Sequence, residues 1–286
     1  MPELPEVETV RGGLRPAMEG RRISGMKVWR PDLRFPFPDR FEQRLTGAVV
    51  ERLDRRAKYL LARLSTGETL LMHLGMSGRF SVSAEAGAEQ PGGFVHVLAA
   101  DPKHDHVVFT MQDGTQVTYN DPRRFGFMTL FPTHQEDQEP CLRNLGPEPL
   151  SSAFSAALLA DAFEGRKSPV KTGLLDQRVV AGLGNIYVCE TLWRARIDPR
   201  RPCASIKGVR SERLALAVRA VITEAIEAGG TTLRNHAGVD GVMGYFQHRF
   251  DVYGRQGEPC HRCVNGVVER CVQSGRSTFF CPRCQR

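Results

Sequence analysis

Apolar positions change period twice along this chain, and the changes outline its architecture. Pro5 followed by Glu6 and Glu8 reads as a helix start, since proline is tolerated in a first helical turn and carboxylates are favoured at the positive dipole end. Gly12 and Gly13 predict that this helix fades there. Over residues 23–131 the pattern shortens to strand-length apolar runs broken by turn residues: 58–64, then Ser-Thr-Gly, then 68–73, and again 107–118 with a break at Asp113-Gly114. Each pair of runs is a hairpin, and hairpins in succession predict a β-sandwich or flattened barrel. Residues 81–102, rich in Ala, Gly and Glu, keep no period and read as a surface loop or insertion.

The polar, proline-rich stretch 132–150 is the expected linker, after which the period becomes helical. Leu214, Val218, Val221, Ile222, Ala225 and Ile226 keep helical spacing, with Ser211 as expected N-cap and Gly229-Gly230 as the stop. Two shorter helices flank Ala181-Gly-Leu-Gly-Asn185, Asn185 being placed to cap the second, and helices joined by a glycine turn are a DNA-binding arrangement. The expected fold class is therefore α+β, with an N-terminal β-sandwich domain at 1–131, a linker at 132–150, a helical domain at 151–250 and a C-terminal segment at 251–286.

Composition narrows the chemistry. A formal charge of +7 and a pI near 9.1 favour polyanionic partners. The opening MPELPEVETV is acidic and proline-rich, unlike a secretory signal, and no apolar run reaches the ~20 residues of a membrane span, so a soluble protein is expected. Of eight cysteines, four form two C-x-x-C pairs, Cys260/Cys263 and Cys281/Cys284, seventeen residues apart. That spacing matches a four-thiolate zinc site, closed to water and therefore structural, in a reducing compartment. Arg270, Arg276 and Ser277-Thr278 lie between the knuckles, chemistry suited to a hairpin on a phosphate backbone. Pro2 would carry a secondary amine once Met1 is removed, and an α-amino group near pKa 7.7 to 8.0 is far more often neutral than a lysine.

MPELPEVETV, RRAKYL around Lys58, HLGMSG at 73–78, KHDH at 103–106, NDPRRFG at 120–126, GLGNIY at 182–187, GGTTL at 229–233 and YGRQGEPC before the knuckles occur in this order. Together they make the chain similar to the formamidopyrimidine-DNA glycosylases along essentially its whole length. The related endonuclease VIII enzymes open with glycine where this chain has Leu4, which favours oxidised purines over oxidised pyrimidines as substrates. A noncatalytic zinc-finger DNA-binding relative is the other alternative.

The resemblance implies a helix-two-turn-helix in the helical domain, a zinc-finger hairpin, and a monomer acting on double-stranded DNA in the bacterial cytoplasm at the nucleoid. It implies Pro2 as Schiff-base nucleophile, Glu3 as proton donor for base loss, and Glu6 as an orienting group. Lys58 matches the proton donor in β-elimination, and Arg276 the residue of δ-elimination and phosphate binding. His104, Arg123, Arg166 and Asn185 correspond to DNA contacts, while Met76, Arg123 and Phe125 match side chains inserted where a nucleotide is flipped out. A loop at 231–245 corresponds to the family's lesion-recognition segment.

Overall fold

The computed structural model describes residues 2–83, 101–231 and 245–286, which divide into two compact units. The first comprises residues 1–143 with 228–245, and the second 144–227 with 246–286.

The first unit opens with α1 (Leu4–Met18), which runs through Gly12 and Gly13 instead of fading there. Each glycine weakens a helix by ~1 kcal/mol, but Val7, Val10, Leu14 and Met18 share one buried face, and each large apolar side chain removed from water returns ~1.5–3 kcal/mol. Tertiary burial therefore overrides the local preference. Against that face lie two antiparallel four-stranded sheets. One has the order β1-β6-β7-β5, made of β1 (Ile23–Val28), β5 (Arg79–Ser83), β6 (Asp105–Met111) and β7 (Gln116–Asn120). The other has the order β2-β3-β4-β8, from β2 (Val50–Arg56), β3 (Tyr59–Leu64), β4 (Glu68–His73) and β8 (Phe127–Pro132). A short α2 (Phe41–Leu45) sits between β1 and β2 in the chain. Leu53, Leu60, Ala62, Leu70 and Met72 from one sheet share a buried cluster with Phe80, Val107, Phe109, Val117 and Tyr119 from the other, so both expected hairpins and the sandwich are present.

Residues 81–83, expected in a loop, instead finish β5 against β7. The rest of that expected insertion up to residue 100, and residues 232–244 of the expected recognition loop, lie outside the described residues. Where the latter leaves and rejoins, Thr231 and Tyr245 form a bridge and the Tyr245 N–H donates to the Ala228 carbonyl at 3.0 Å.

The second unit contains α3 (Ala156–Phe163), α4 (Val170–Leu175), α5 (Asn185–Arg194), α6 (Val209–Glu227) and a hairpin of β9 (Glu269–Gln273) and β10 (Arg276–Phe280). The apolar stripe of α6 is buried at Leu214, Val218, Val221, Ile222 and Ala225, and the helix ends before Gly229 and Gly230, both at positive φ. Two capping expectations are corrected. Ser211 lies inside α6, where its hydroxyl donates to the Gly208 carbonyl at 2.8 Å, and α5 is preceded by Gly184 as N-cap, which frees the Asn185 side chain for another partner. No helix among the described residues is long and apolar enough to cross a membrane.

Candidate active site

In the first unit the polar centre is built around the amino end of α1. Pro2, Glu3 and Glu6 are all buried. The Glu3 N–H donates to Glu6 Oε2 at 2.8 Å, the reach of a capping box. Glu6 Oε1 accepts from the Thr231 N–H at 2.8 Å and the Thr231 hydroxyl at 2.9 Å. A single carboxylate thus fastens the chain's start to the point where the 231–245 segment begins. Glycine is required next to it, because a Cβ on Gly230 would stand 3.0 Å from Glu6 Oε1 and the residue sits at φ +75°.

Lys58 lies in the two-residue turn between β2 and β3, preceded by Ala57 in a left-handed backbone (φ 52°), a conformation costing roughly 1–2 kcal/mol for a residue with a Cβ. His73 pairs with Tyr59 across β3 and β4. Burial, with the nearby cations Lys58 and Arg34, holds the His73 imidazole down at about 4, and its Nδ1 accepts the Gly75 N–H at 3.2 Å. His73 is therefore neutral at pH 7.

Met76 and Phe125 are 40% and 44% exposed, on two loops whose conformation is locked, so neither serves the core. Buried Asp121 is the lock. Its Oδ1 accepts the Ser77 hydroxyl at 2.5 Å and the Arg123 N–H at 3.3 Å, and its Oδ2 accepts the Gly126 N–H at 2.9 Å and the Tyr119 hydroxyl at 3.3 Å. The loops touch backbone to backbone, and a Cβ on Gly75 would fall 2.3 Å from the Gly126 nitrogen. The Arg123 guanidinium lies over the Phe125 ring at 4.7 Å. Met76, Arg123 and Phe125 are thereby gathered on adjoining loops. His104 ends a short 3-10 turn, and its carbonyl accepts the Asp121 N–H at 3.0 Å.

In the second unit the Asn185 amide donates to the Ser277 carbonyl at 2.9 Å, while its Oδ1 is buried with no hydrogen-bond partner among the described residues. Buried Lys171 donates to the same carbonyl at 3.1 Å and to the Thr278 hydroxyl at 2.7 Å. Both side chains secure the hairpin beside its Ser274-Gly275 turn, from which Arg276 projects exposed with no ion pair among the described residues. Arg166 is apart from this group, following α3 and reaching Asp176 at 3.4 Å. Glu190 of α5, fully buried, accepts the backbone N–H groups of Asp251, Val252 and Tyr253 at 2.8 to 3.1 Å and so fixes the approach to the knuckles.

Cys260, Cys263, Cys281 and Cys284 bring their sulfurs within 4.8 Å of one another, a metal-binding cluster. Its fit to an ion rests on more than the count. A Cβ on Gly266 would come 2.2 Å from Cys263 Sγ and 3.0 Å from Cys281 Sγ, so only glycine leaves the cradle open. The indole N–H of Trp193 and the backbone N–H groups of Arg262 and Cys263 donate to the Cys260 sulfur, donors that favour its thiolate against the opposing effect of burial. Gln285 links the second knuckle to the helices, accepting the Cys281 N–H at 2.7 Å and donating to the Ile197 carbonyl at 2.9 Å.

Sequence reasoning did not single out Asp121, Thr231, His73, Lys171, Glu190, Gln285 or Gly266. Asp121, His73 and Thr231 stood inside quoted motifs, NDPRRFG, HLGMSG and GGTTL, where neighbouring residues drew the attention. Lys171 and Glu190 carried no local signal, because their partners are 106 and 61 residues away.

Similarity to known proteins agrees with this geometry. The model of the formamidopyrimidine-DNA glycosylase N-terminal domain matches residues 1–128, and that of the H2TH domain of the same enzymes matches residues 145–237. Formamidopyrimidine-DNA glycosylases of Ruegeria pomeroyi and of a Caulobacter species are 58% and 56% identical over the full length of both chains. The crystal structure of the Thermus thermophilus MutM (Fpg) protein superposes with a TM-score of 0.84 at 39% identity, covering 99% of this chain and 98% of that one. A Lactococcus lactis Fpg mutant in complex with a Fapy-dG containing DNA superposes at 0.87 and 31% identity over the whole of both chains. Two family domains in order, full-length relatives and a matching backbone leave one assignment: this chain belongs to the formamidopyrimidine-DNA glycosylase family.

Proposed function

We propose that this chain is a base excision repair enzyme, a DNA glycosylase and abasic-site lyase that removes oxidised purines such as 8-oxoguanine and formamidopyrimidines from double-stranded DNA. The observation that carries the reading is the burial of Pro2 and Glu3 in a polar site held by Glu6 and Thr231. With Met1 removed, the Pro2 nitrogen attacks the sugar C1′, the bond to the damaged base breaks, and Glu3 supplies the proton that accompanies base loss and ring opening. The resulting iminium has no proton on nitrogen to lose, so its charge persists and draws electrons from C2′ as the 3′ and then the 5′ phosphate depart. Lys58 and Arg276 bring positive charge to those leaving groups. Both oxygens of Glu6 are occupied by hydrogen bonds, which suits positioning and not proton transfer.

Met76, Arg123 and Phe125 fill the space of the flipped nucleotide, an assignment supported by two exposed apolar side chains on rigid loops. Arg123 then donates to the orphaned base, and His104, Arg166 and Asn185 hold phosphates. The metal is one structural zinc on Cys260, Cys263, Cys281 and Cys284, supplying a crosslink for a segment with little core of its own. The enzyme works as a monomer on chromosomal DNA, hence in the cytoplasm.

Borohydride reduction on a lesion-containing duplex tests the reading. The expected result is a covalent DNA adduct mapping to residue 2 of a chain whose intact mass lacks Met1. An adduct on Lys58 with Pro2 unmodified would overturn the mechanism, and excision confined to oxidised pyrimidines would overturn the substrate.

A further inference from the structure

The second unit holds a cavity of about 540 Å³ that the proposed chemistry does not use. Its lining is almost purely cationic: Arg196, Arg201, Arg210, Arg213, Arg262 and Arg283 converge on it beside the sulfurs of Cys263 and Cys284, together with the terminal Arg286. These arginines come from five places in the chain. Arg196 follows the end of α5 in a left-handed backbone (φ 59°), Arg210 and Arg213 share a face of the first turns of α6, and Arg262 and Arg283 sit inside the two knuckles.

Like charges are not gathered this way without compensation. Four thiolates around a divalent ion carry a net charge of minus two, which seven guanidinium groups exceed. Among the described residues no Asp or Glu side chain lines the cavity, and none of the seven arginines forms an ion pair. Arg262 is immobilised, its guanidinium 3.7 Å from the centre of the Trp193 ring and donating to the Trp193 carbonyl at 2.6 Å. The Arg201 Nε is buried without a hydrogen-bond partner among the described residues, a donor left unsatisfied in this cavity. The positive end of the α6 dipole adds to the same field.

We propose that this cavity is an anion site for a compact chain of linked phosphates, the class of inorganic tripolyphosphate and the phosphate tail of nucleoside triphosphates. Its volume falls in the small-ligand range of roughly 300–1,000 Å³. Guanidinium forks pair two N–H groups with phosphate oxygens, so seven arginines suit several phosphates better than one. Arg262 covers the ring of Trp193, and among the described residues no aromatic side chain lines the cavity to stack on a base, so recognition is of the phosphates themselves. The site is separate from the hairpin contact of Asn185. That residue begins α5 and Arg196 follows its other end, eleven residues on, or roughly 16 Å along a helix. Because Cys263 and Cys284 share the wall, occupancy also favours the folded, metal-loaded knuckles by mass action.

The test is calorimetric titration of the zinc-loaded protein with sodium tripolyphosphate at fixed ionic strength, with zinc content measured before and after. The expected result is one saturable site, at least tenfold tighter for tripolyphosphate than for inorganic phosphate. Arg213→Ala and Arg210→Ala should each weaken it about tenfold, while leaving zinc content and cleavage of an abasic duplex unchanged. Arg276→Ala should leave tripolyphosphate affinity as it was. Unsaturable binding that follows ionic strength, equal loss in Arg276→Ala, or stoichiometric displacement by an undamaged duplex would each overturn the proposal, the last by assigning the cavity to a DNA backbone.

Discussion

Replacing Asp121 by asparagine keeps the shape of a fully buried side chain and removes the charge that four donors converge upon. Asparagine has one acceptor oxygen, and its amide N–H groups must point at donors wherever the second carboxylate oxygen stood. Whichever way the amide turns, one pair faces a donor instead of an acceptor: Ser77 with Arg123, or Gly126 with Tyr119. Each buried donor so deprived costs about 1–3 kcal/mol, and relaxation of the exposed loops returns part of it, so a net loss of about 2–4 kcal/mol is expected. For a unit of this size that lowers the melting transition by about 5–15 °C. The functional consequence is selective. Ser77, Arg123 and Gly126 set the two loops that present Met76, Arg123 and Phe125, whereas Pro2, Glu3 and Glu6 are not among the four donors that Asp121 holds. Single-turnover assays should therefore show excision of 8-oxoguanine opposite cytosine reduced at least tenfold, and strand cleavage at a preformed abasic site reduced far less. A melting transition unchanged within 2 °C, or equal losses on the two substrates, would refute the assignment of Asp121 as the residue that positions the inserted side chains.

Three further outcomes follow from buried polar contacts. Glu190 is pushed up from 4.5 to about 7, chiefly by burial against the opposing help of three backbone N–H donors. A carboxyl raised in the folded state lends its stability in full below the unfolded value and loses it as pH rises through the folded one. The second unit should therefore weaken by about 3 kcal/mol between pH 4.5 and 7, and urea titrations of Glu190→Gln should lack that slope. Gly266→Ala drives a methyl group into Cys263 Sγ and should lower bound zinc by metal analysis, and full stoichiometry would disprove the cradle. Thr231→Val removes the hydroxyl bond to Glu6 and should cost about 1–2 kcal/mol in unfolding and slow base removal, an unchanged rate telling against the clamp.

What could be read from the chain alone was whatever depends on neighbours in sequence. The hairpins of β3 with β4 and of β6 with β7 rest on alternation and turn residues a few positions apart, and the knuckles on two-residue spacings. Errors arose where distant packing won, as in α1 running through two glycines because its apolar face is covered by both sheets. The Asn185 amide is a subtler case. At a helix start it has the chemistry of a cap, but a carbonyl 92 residues away, on the hairpin, takes its donor. Lys171, Glu190 and Gln285 were illegible for the same reason, since each satisfies backbone groups that only the folded unit brings near.

The roles of the charged groups in the proposed mechanism can be separated by asking which still have a proton to move. Glu6 is committed, with Oε2 on the Glu3 N–H and Oε1 on two donors of Thr231, and protonating it would forfeit one of these bonds. His73 is neutral well below pH 7, so it adds no charge beside Lys58 and cannot donate as an imidazolium. Of these groups, that favours Glu3 as the proposed acid for base loss. Lys58, a cation close enough to His73 to depress its imidazole, is the proposed donor of the later proton, at elimination. As a charged ammonium it would be a poor rival nucleophile and an effective partner for a departing phosphate. Lys58→Gln should then leave borohydride trapping at residue 2 largely intact while strand cleavage falls, and loss of both together would return the nucleophile to Lys58.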